Sequence, residues 1–294
     1  MKGASEFAGM AAALASAAAW AGGSVLYKKL GERTSAPGMN LVKSILSLGI
    51  LAFVLFLTGF QLPGRRTWLI LTLSGLLGVA LGDTFFFLAL QRLNTHVLVL
   101  LCALGPALTI LFAVFFLGEI PPFWRWIGIV MVLSGVALVL DARGSHGNNS
   151  STAGGIVYGL LSILCMSTGV IVAKVGLASV GALEAVFIRM LAGAAGLALW
   201  AVAAGRLREW VAPFWDRVLL RDMFVAICVC TLGGFWLSHV ALKFADVSVA
   251  STLAATEPLF VMPLAAIFLE EPISRKAVWG ALVAVSGAAI LVSR

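Results

Sequence analysis

ALQRLNTHVLVLLCALGP, residues 89–106, and ALKFADVSVASTLAATEP, residues 241–258, are two versions of one pattern that stand 152 positions apart. Each begins with Ala-Leu at the end of one apolar run and ends on a proline inside the next. The same shift matches further pairs toward the C-terminus: Glu119 with Glu271, Gly128 with Gly280, and Ser134-Gly135 with Ser286-Gly287. The second half of the chain therefore repeats the first.

The N-terminal parts of the two halves also match, with a shift of 146 positions. The matched pairs are Ser16 with Ser162, Gly23 with Gly169, Lys28 with Lys174, and Lys43 with Arg189. The most polar stretch of the chain, DARGSHGNNSST at 141–152, lies between the halves and has the composition of a flexible linker. We therefore predict two repeats, 1–145 and 146–294.

The composition excludes a water-soluble fold. Hydrophobic residues make up 61% of the chain and charged residues 11%, with a mean hydropathy of +1.06, whereas soluble domains carry roughly 25% charged residues. Apolar runs long enough to cross a bilayer recur throughout. They predict an all-α membrane protein of ten helices near 7–29, 38–59, 67–91, 95–117, 123–140, 154–176, 182–204, 222–243, 249–269 and 275–292.

The charge and the cysteine content restrict the kinds of partner and cofactor that we expect the chain to bind. The net charge is +7, but the 20 Lys and Arg residues lie mostly in short breaks between apolar runs and form no basic stripe, so we expect no nucleic-acid partner. The cysteines lie inside apolar runs, where thiols behave as small hydrophobic groups. We expect no disulfide, metal site or cofactor from Cys102, Cys165, Cys228 and Cys230. The first apolar run is interpreted as a membrane helix, not a cleaved signal peptide.

The number of helices in each repeat predicts how the halves are related. Five helices are an odd number, so the second repeat enters the membrane with the opposite orientation to the first. Inverted repeats related by a pseudo-two-fold axis in the membrane plane allow one half to rock against the other around a site at mid-depth. The topology thus predicts a transporter with a central cavity.

The two repeats resemble the EamA type of the drug/metabolite transporter superfamily. The resemblance is carried by 81–140 and 241–292: an Ala-Leu end on the third helix, a proline in the fourth, a Glu closing it, and Gly followed by Ser-Gly in the fifth. It implies a ten-helix transporter with a central cavity, cytoplasmic termini, and export or exchange of amino acids or related metabolites. More Lys and Arg residues lie in the loops that this orientation places outside, which favours the opposite one.

Charged residues within the predicted helices are the main candidates for substrate binding: Lys43, Asp83, Arg189 and Glu257. A charge near the bilayer centre costs at least roughly 2.5–3.5 kcal/mol and therefore points to function. Lys43 and Arg189 occupy equivalent positions, so inversion places one cation toward each mouth, where it could attract a carboxylate or phosphate. The alternatives are that Lys43 reaches the headgroups and that Arg189 pairs with a neighbouring acid.

Glu257 has Gly105 as its repeat equivalent, so this acid breaks the symmetry. It could bind a substrate ammonium or exchange a proton, or form a structural ion pair with Arg189 or Lys43. Asp83 could bind substrate or form an ion pair within the bundle. Pro106 and Pro258 are predicted helix breaks, because proline lacks an N–H group.

Aromatic and histidine residues are weaker candidates. Trp20, Tyr158, Phe235 and Trp236 could line the cavity, and the two tryptophans could contact a substrate amine through cation–π interactions; packing against lipid is the alternative. His96 and His239 lie near predicted helix ends, where a hydrogen-bonded histidine is commonplace.

We predict a secondary transporter for small polar metabolites, most simply amino acids or similar amphoteric compounds, as an exporter or exchanger. Uptake of choline or another quaternary amine is the first alternative and a lipid flippase the second. An enzyme is not expected, because the chain has no HExxH, no His-acid cluster and no Gly-rich phosphate loop. We expect a monomer or weak homodimer in the bilayer of a bacterial inner membrane.

Overall fold

The computed structural model describes residues 2–59, 63–117, 122–144, 150–177, 180–234, 237, 240–241, 253 and 256–292. Within these ranges the regular secondary structure is helical, without a strand. The predictions for Glu119, Phe235, Trp236 and His239 fall outside the described residues.

Seven numbered helices make up the first repeat, and several end where the sequence predicts. They are α1 Lys2–Gly31, α2 Ala36–Thr58, α3 Arg65–Gly75, α4 Asp83–Arg92, α5 Thr95–Cys102, α6 Leu104–Leu117 and α7 Phe123–Gly144. A π-helical turn, Leu76–Gly82, joins α3 to α4 into one continuous rod. The Ser35 side chain accepts a hydrogen bond from the Gly38 N–H and so caps the start of α2.

The second repeat contains six described helices. They are α8 Ser150–Leu177, α9 Ala182–Ala203, α10 Leu207–Val211, α11 Arg217–Ala226, α12 Glu257–Leu269 and α13 Arg275–Val292. A short 3₁₀ turn, Ala212–Trp215, precedes α11, and a π-helical turn, Ile227–Gly234, continues it. Asp216 caps α11 by accepting from the Val218 N–H.

Five of the described helices are long and apolar enough to cross a bilayer: Phe7–Gly31, Ala36–Thr58, Arg65–Arg92, Thr152–Ala173 and Leu183–Ala203. Two shorter apolar helices are Trp126–Val139 and Glu257–Leu269. Large apolar side chains on these helices are exposed, among them Phe56 at 85% and Leu199 at 72%. Such surfaces are stable against lipid and costly in water. The total of ten membrane helices stays a prediction.

The two π-helical turns occupy equivalent places in the repeats, and we call them the wide turns. Each accepts a hydrogen bond at its last residue from a serine of the other repeat. Ser16 donates to the Gly234 carbonyl at 2.7 Å, and Ser162 donates to the Gly82 carbonyl at 2.9 Å. Because the shifts of 146 and 152 convert one contact into the other, the sequence repeat recurs as a repeat of contacts.

Glycines bring the helices that carry these contacts very close together. A Cβ atom on Gly23 would lie 2.3 Å from the Cβ of Cys230, in the second wide turn. The equivalent Gly169 packs against the first wide turn, where an added Cβ would lie 3.1 Å from the Cα of Gly78. Both contacts need the absence of a side chain, so these glycines fix helix spacing.

Helices α7 and α13 cross where four glycines bring their backbones close together. A Cβ on Gly135 would lie 2.5 Å from the Gly280 carbonyl oxygen, and one on Gly287 would lie 2.8 Å from the Gly128 carbonyl oxygen. Residue numbers rise along one helix as they fall along the other, so α7 and α13 run antiparallel.

The two prolines predicted as helix breaks, Pro106 and Pro258, lie beside helix ends. The fourth predicted helix is interrupted at Ala103, and Pro106 lies in the first turn of α6. Pro258 lies in the first turn of α12, directly after Glu257. A proline there loses no helical hydrogen bond, because the first N–H groups of a helix have no partner within it.

Candidate functional site

Lys43 and Asp83 form an ion pair between α2 and the start of α4. Their side chains are only 9% and 21% exposed, so both charges are largely removed from solvent and lipid. The Lys43 ammonium also lies 5.3 Å from the centre of the Phe87 ring. Lys43 therefore points into the bundle rather than to the headgroups, and Asp83 forms an ion pair within the bundle.

Asn40 fixes the wide turn that precedes Asp83. Its amide nitrogen donates to the Val79 carbonyl at 2.8 Å, to the Ala80 carbonyl at 3.3 Å and to the Thr84 hydroxyl at 2.9 Å. Asn40 stands three residues before Lys43 on α2, so one face of the helix both holds the turn and pairs with the acid beyond it. Asn40 is not among the predicted site residues, although an amide inside an apolar run is the signal that could have revealed it.

Arg189 on α9 is the third charge of the region. A Cβ on Gly75 would lie 2.3 Å from the Arg189 carbonyl oxygen, and one on Gly78 would lie 3.1 Å from its guanidinium. Arg189 interacts electrostatically with Asp83, but its buried Nε has no hydrogen-bond partner among the described residues. In sequence, the repeat equivalent of Asp83 is Phe235, so the second half offers Arg189 no acid at the corresponding position.

Glu257 lies at the start of α12, near the Cys230 thiol. The same thiol lies within reach of the charges of Lys43 and Asp83. Cys230 belongs to the second wide turn and packs against Gly23 of α1. Cys230 is predicted only as a small hydrophobic residue, and nothing in its local sequence indicates this central position.

The charged cluster, defined as Lys43, Asp83, Arg189 and Glu257, thus combines two cations and two acids from four helices. Opposite charges in a medium of low polarity attract strongly, but removing each from water is costly. A buried group of this kind can neutralise itself or exchange its internal partners for the charged ends of a solute.

Two of the predicted aromatic residues, Trp20 and Tyr158, lie in different parts of the bundle. Trp20 packs beside the second wide turn, with its indole nitrogen 2.9 Å from the Cβ position of Gly234. Tyr158 stacks on Phe85 with ring centres 6.1 Å apart, and the Arg92 guanidinium lies 4.4 Å above the Tyr158 ring. The ring contacts of Tyr158 are therefore with Phe85 and Arg92, and its ring also packs against a buried hydrophobic cluster that contains Phe87 and Leu90.

Glu271 connects the two repeats at one end of the bundle. Its Oε1 accepts from the Thr95 N–H at 2.6 Å, and its Oε2 lies 2.7 Å from His96 Nδ1. Burial acts to raise the pKa of Glu271, but the hydrogen bonds from His96 and the Thr95 backbone outweigh it, so this pKa is lowered. His96 is thus a buried, hydrogen-bonded residue at a helix start.

A cavity of about 440 Å³ opens at the same end of the bundle. It lies between α1, α11 and α12, beyond the level at which Gly23 meets Cys230. Its charged and aromatic lining comprises Lys29, Glu32, Arg33, Asp222, Phe268 and Glu270. The residues of the charged cluster are not part of this lining.

Bilayer-length apolar helices, an internal repeat and interior charges of both signs are features that a membrane transporter combines. The chain belongs to the EamA-like transporter family, whose sequence profile matches residues 7–141 and again 153–293. This match confirms the family resemblance inferred from the sequence and the membership of the drug/metabolite transporter superfamily. It also confirms that the chain contains two repeats.

Similar proteins point to the same class. The uncharacterized transporter YvbV of Bacillus subtilis is 26% identical over 76% of this chain and 71% of its own length. An uncharacterized transporter from the cobO 3' region of a Sinorhizobium species is 29% identical over 42% of this chain and 89% of its own. A protein of known crystal structure has the same fold, with a TM-score of 0.62 at 18% identity over 99% of this chain and 96% of its own.

Proposed function

We propose that the protein moves small amphoteric metabolites, most simply amino acids, across a bacterial inner membrane by alternating access. The observation that carries this proposal is the charged cluster, in which Lys43 is paired with Asp83 while the buried Arg189 Nε lacks a hydrogen-bond partner among the described residues. A carboxylate is the natural partner of an arginine side chain, which can bind it through two parallel hydrogen bonds.

The architecture behind this proposal is ten membrane helices in two inverted five-helix repeats. Two features support it: the equivalent contacts of Ser16 and Ser162 with the wide turns, and the antiparallel crossing of the equivalent helices α7 and α13. Inverted halves give a site that each side of the membrane can reach in turn.

The charges of the cluster suggest how each end of a solute is bound. Arg189 binds the carboxylate, because its buried Nε has no hydrogen-bond partner among the described residues. Glu257 binds the ammonium group or takes up a proton, and Trp20 lies beside the adjoining wide turn, where it can contact a substrate amine. Lys43 and Asp83 neutralise each other until substrate binding or release separates them.

Export or exchange is the proposed mode, with a soluble small molecule as the substrate and the monomer or a weak homodimer as the working unit. The lipid bilayer is the further partner that the exposed apolar side chains of the helices require.

The test is a thermal-shift screen of the purified protein against the twenty amino acids and choline, followed by counterflow of each stabilising compound in proteoliposomes. A ligand that binds only the folded state raises its apparent stability. Arg189→Met should abolish amino-acid counterflow, and Arg208→Met, at an exposed arginine of α10, is the matched control. Choline transport that survives Arg189→Met would replace the amino-acid assignment with a quaternary-amine one.

A further inference from the structure

The cavity between α1, α11 and α12 contains charges of both signs, only some of which are engaged. Arg33 pairs with Asp216 at 2.8 Å, and Asp222 pairs with Arg221 at 2.9 Å. Within the described part of the chain, the side chains of Lys29, Glu32 and Glu270 form no ion pair or hydrogen bond. One cation and two acids therefore face the cavity with their charges available.

An aromatic wall accompanies these charges. The Lys29 ammonium lies 5.7 Å from the centre of the Phe268 ring, which orients the lysine along the cavity edge. Leu26, Leu30 and Leu219 contribute apolar surface to the same lining. The combination of a few charges with apolar walls is typical of sites for small organic molecules.

Glu270 has a backbone conformation that favours glycine. Its φ of 54° lies in the left-handed region, and it is the single residue other than glycine with a positive φ in the described chain. Its N–H and that of Glu271 both donate to the Ala265 carbonyl oxygen, which ends α12. Glu271 is in turn held by Thr95 at the start of α5, so the backbone at Glu270 is fixed from both sides.

The repeat shows which residue would fit this conformation without strain. The position equivalent to Glu270 in the first half is Gly118. Glycine is the usual residue at a left-handed helix end, because it has no Cβ atom to clash. Glutamate at such a position costs conformational free energy, and strain of this kind clusters at functional sites. The side chain that replaces glycine here is a carboxylate in the wall of the cavity.

We propose that this cavity is a second binding site for small zwitterions, at the mouth of the transporter, in which Glu270 and Glu32 bind the ammonium group and Lys29 binds the carboxylate. The zwitterionic class rests on the proposed function, whereas the attraction for cations rests on the cavity alone. The site shares α12 with the charged cluster: Glu257 begins this helix and Glu270 follows its last residue, so a solute at the cavity lies at the far end of the helix that carries Glu257.

The first test measures the charge preference of the cavity without a substrate. A cysteine introduced at Val225, which lines the cavity, reacts with methanethiosulfonate reagents that carry either a trimethylammonium or a sulfonate group. The chain with its four native thiols alone provides the background. We expect the cationic reagent to react faster, and we expect Glu270→Gln to reduce the ratio of the two rates severalfold. An unchanged ratio overturns the proposal.

The second test uses the strained backbone to separate a binding role from a structural one. Glu270→Gly removes both the carboxylate and the strain, whereas Glu270→Gln removes the charge alone. For an amino acid transported in the counterflow assay, both variants should raise KM roughly tenfold with the maximal rate within about twofold. Glu270→Gly should also melt at or above the temperature of the native chain.

The outcomes of the two tests are distinct. A more stable Glu270→Gly variant with unchanged KM would show that the residue has no role in binding, and this result overturns the proposal. If no amino acid is transported at all, the proposed function fails, while the ratio of reagent rates still decides whether the cavity attracts cations.

Discussion

The Ser16 hydroxyl donates a hydrogen bond of 2.7 Å to the carbonyl oxygen of Gly234, which joins the first helix of one repeat to the wide turn of the other. Ser162 makes the equivalent contact with Gly82. A π-helical turn leaves backbone groups out of the regular ladder, and such groups need partners when they are buried. Each repeat thus supplies the serine that completes the irregular helix of the other.

Replacing either serine should destabilise the protein. Ser16→Ala and Ser162→Ala each remove a buried hydrogen bond to a backbone carbonyl, at a cost of about 1–3 kcal/mol. The two losses should add, because the residues lie at different interfaces. The measurement is the melting temperature in detergent, with Ser134→Ala as the control, because Ser134 is exposed. A double variant no less stable than either single one would contradict this prediction.

Close glycine contacts should be equally sensitive. Gly169→Ala places a methyl group 3.1 Å from the Cα of Gly78, where backbone rather than a flexible side chain must move. We expect a loss of about 1–3 kcal/mol, as for other overpacked interiors. Gly49→Ala is the matched control, since an added Cβ there meets nothing within 4 Å. Equal melting temperatures for the two variants would show that α8 can move away from the wide turn without loss of stability.

Removing one partner of the Lys43–Asp83 ion pair should destabilise the protein much more than removing both partners. Asp83→Asn leaves the Lys43 ammonium uncompensated and should cost about 3–5 kcal/mol of stability. Adding Lys43→Met to that variant should restore most of the loss. Asp222→Asn removes an exposed acid of α11 and should change stability by at most about 1 kcal/mol. The measurement is thermal unfolding of the native chain, Asp83→Asn, the double variant and Asp222→Asn. A double variant as unstable as Asp83→Asn would refute the pairing.

Glu257 is the residue to test for proton coupling. If it exchanges the coupling proton, Glu257→Gln should transport without any response to an imposed pH gradient, because the amide cannot be protonated near neutral pH. Glu209→Gln, at an exposed acid of α10 that pairs with Arg206, should retain the response of the native chain. Uptake into proteoliposomes with and without the gradient measures both. A Glu257→Gln variant that still follows the gradient would assign coupling elsewhere.

The link between Glu271 and α5 predicts a loss of stability in acid. The pKa of Glu271 is lower in the folded protein than its ordinary value of 4.5, so the unfolded chain binds the proton more readily. Its contribution is therefore fully present above pH 4.5 and is lost as the pH falls through the lowered folded value. Glu271→Gln should melt earlier at neutral pH and show a flatter acid limb. A mutant with the same pH profile as the native chain would exclude this role.

Much of the fold was predictable from apolar runs and from the two repeats, because a bilayer demands long helices and a duplicated unit repeats its glycines. The charged positions within the runs, such as Lys43 and Asp83, were also identifiable, since burying a charge needs a compensating partner. The partner of each charge was not predictable, because the pairing depends on how far each helix is rotated about its axis. The link between Glu271 and His96 escaped prediction for the same reason, since it joins residues of separate repeats.

The wide turn between α3 and α4 decides which way Asp83 points. An α-helix turns about 100° per residue, so a turn that holds one extra residue displaces every side chain after it by roughly that angle. A helical wheel drawn without interruption from Arg65 to Arg92 consequently misplaces the carboxylate by more than a quarter of a circle. The direction of this acid is set by a local surplus of backbone, and a single-residue deletion in the turn would rotate it about the helix axis by roughly the same angle.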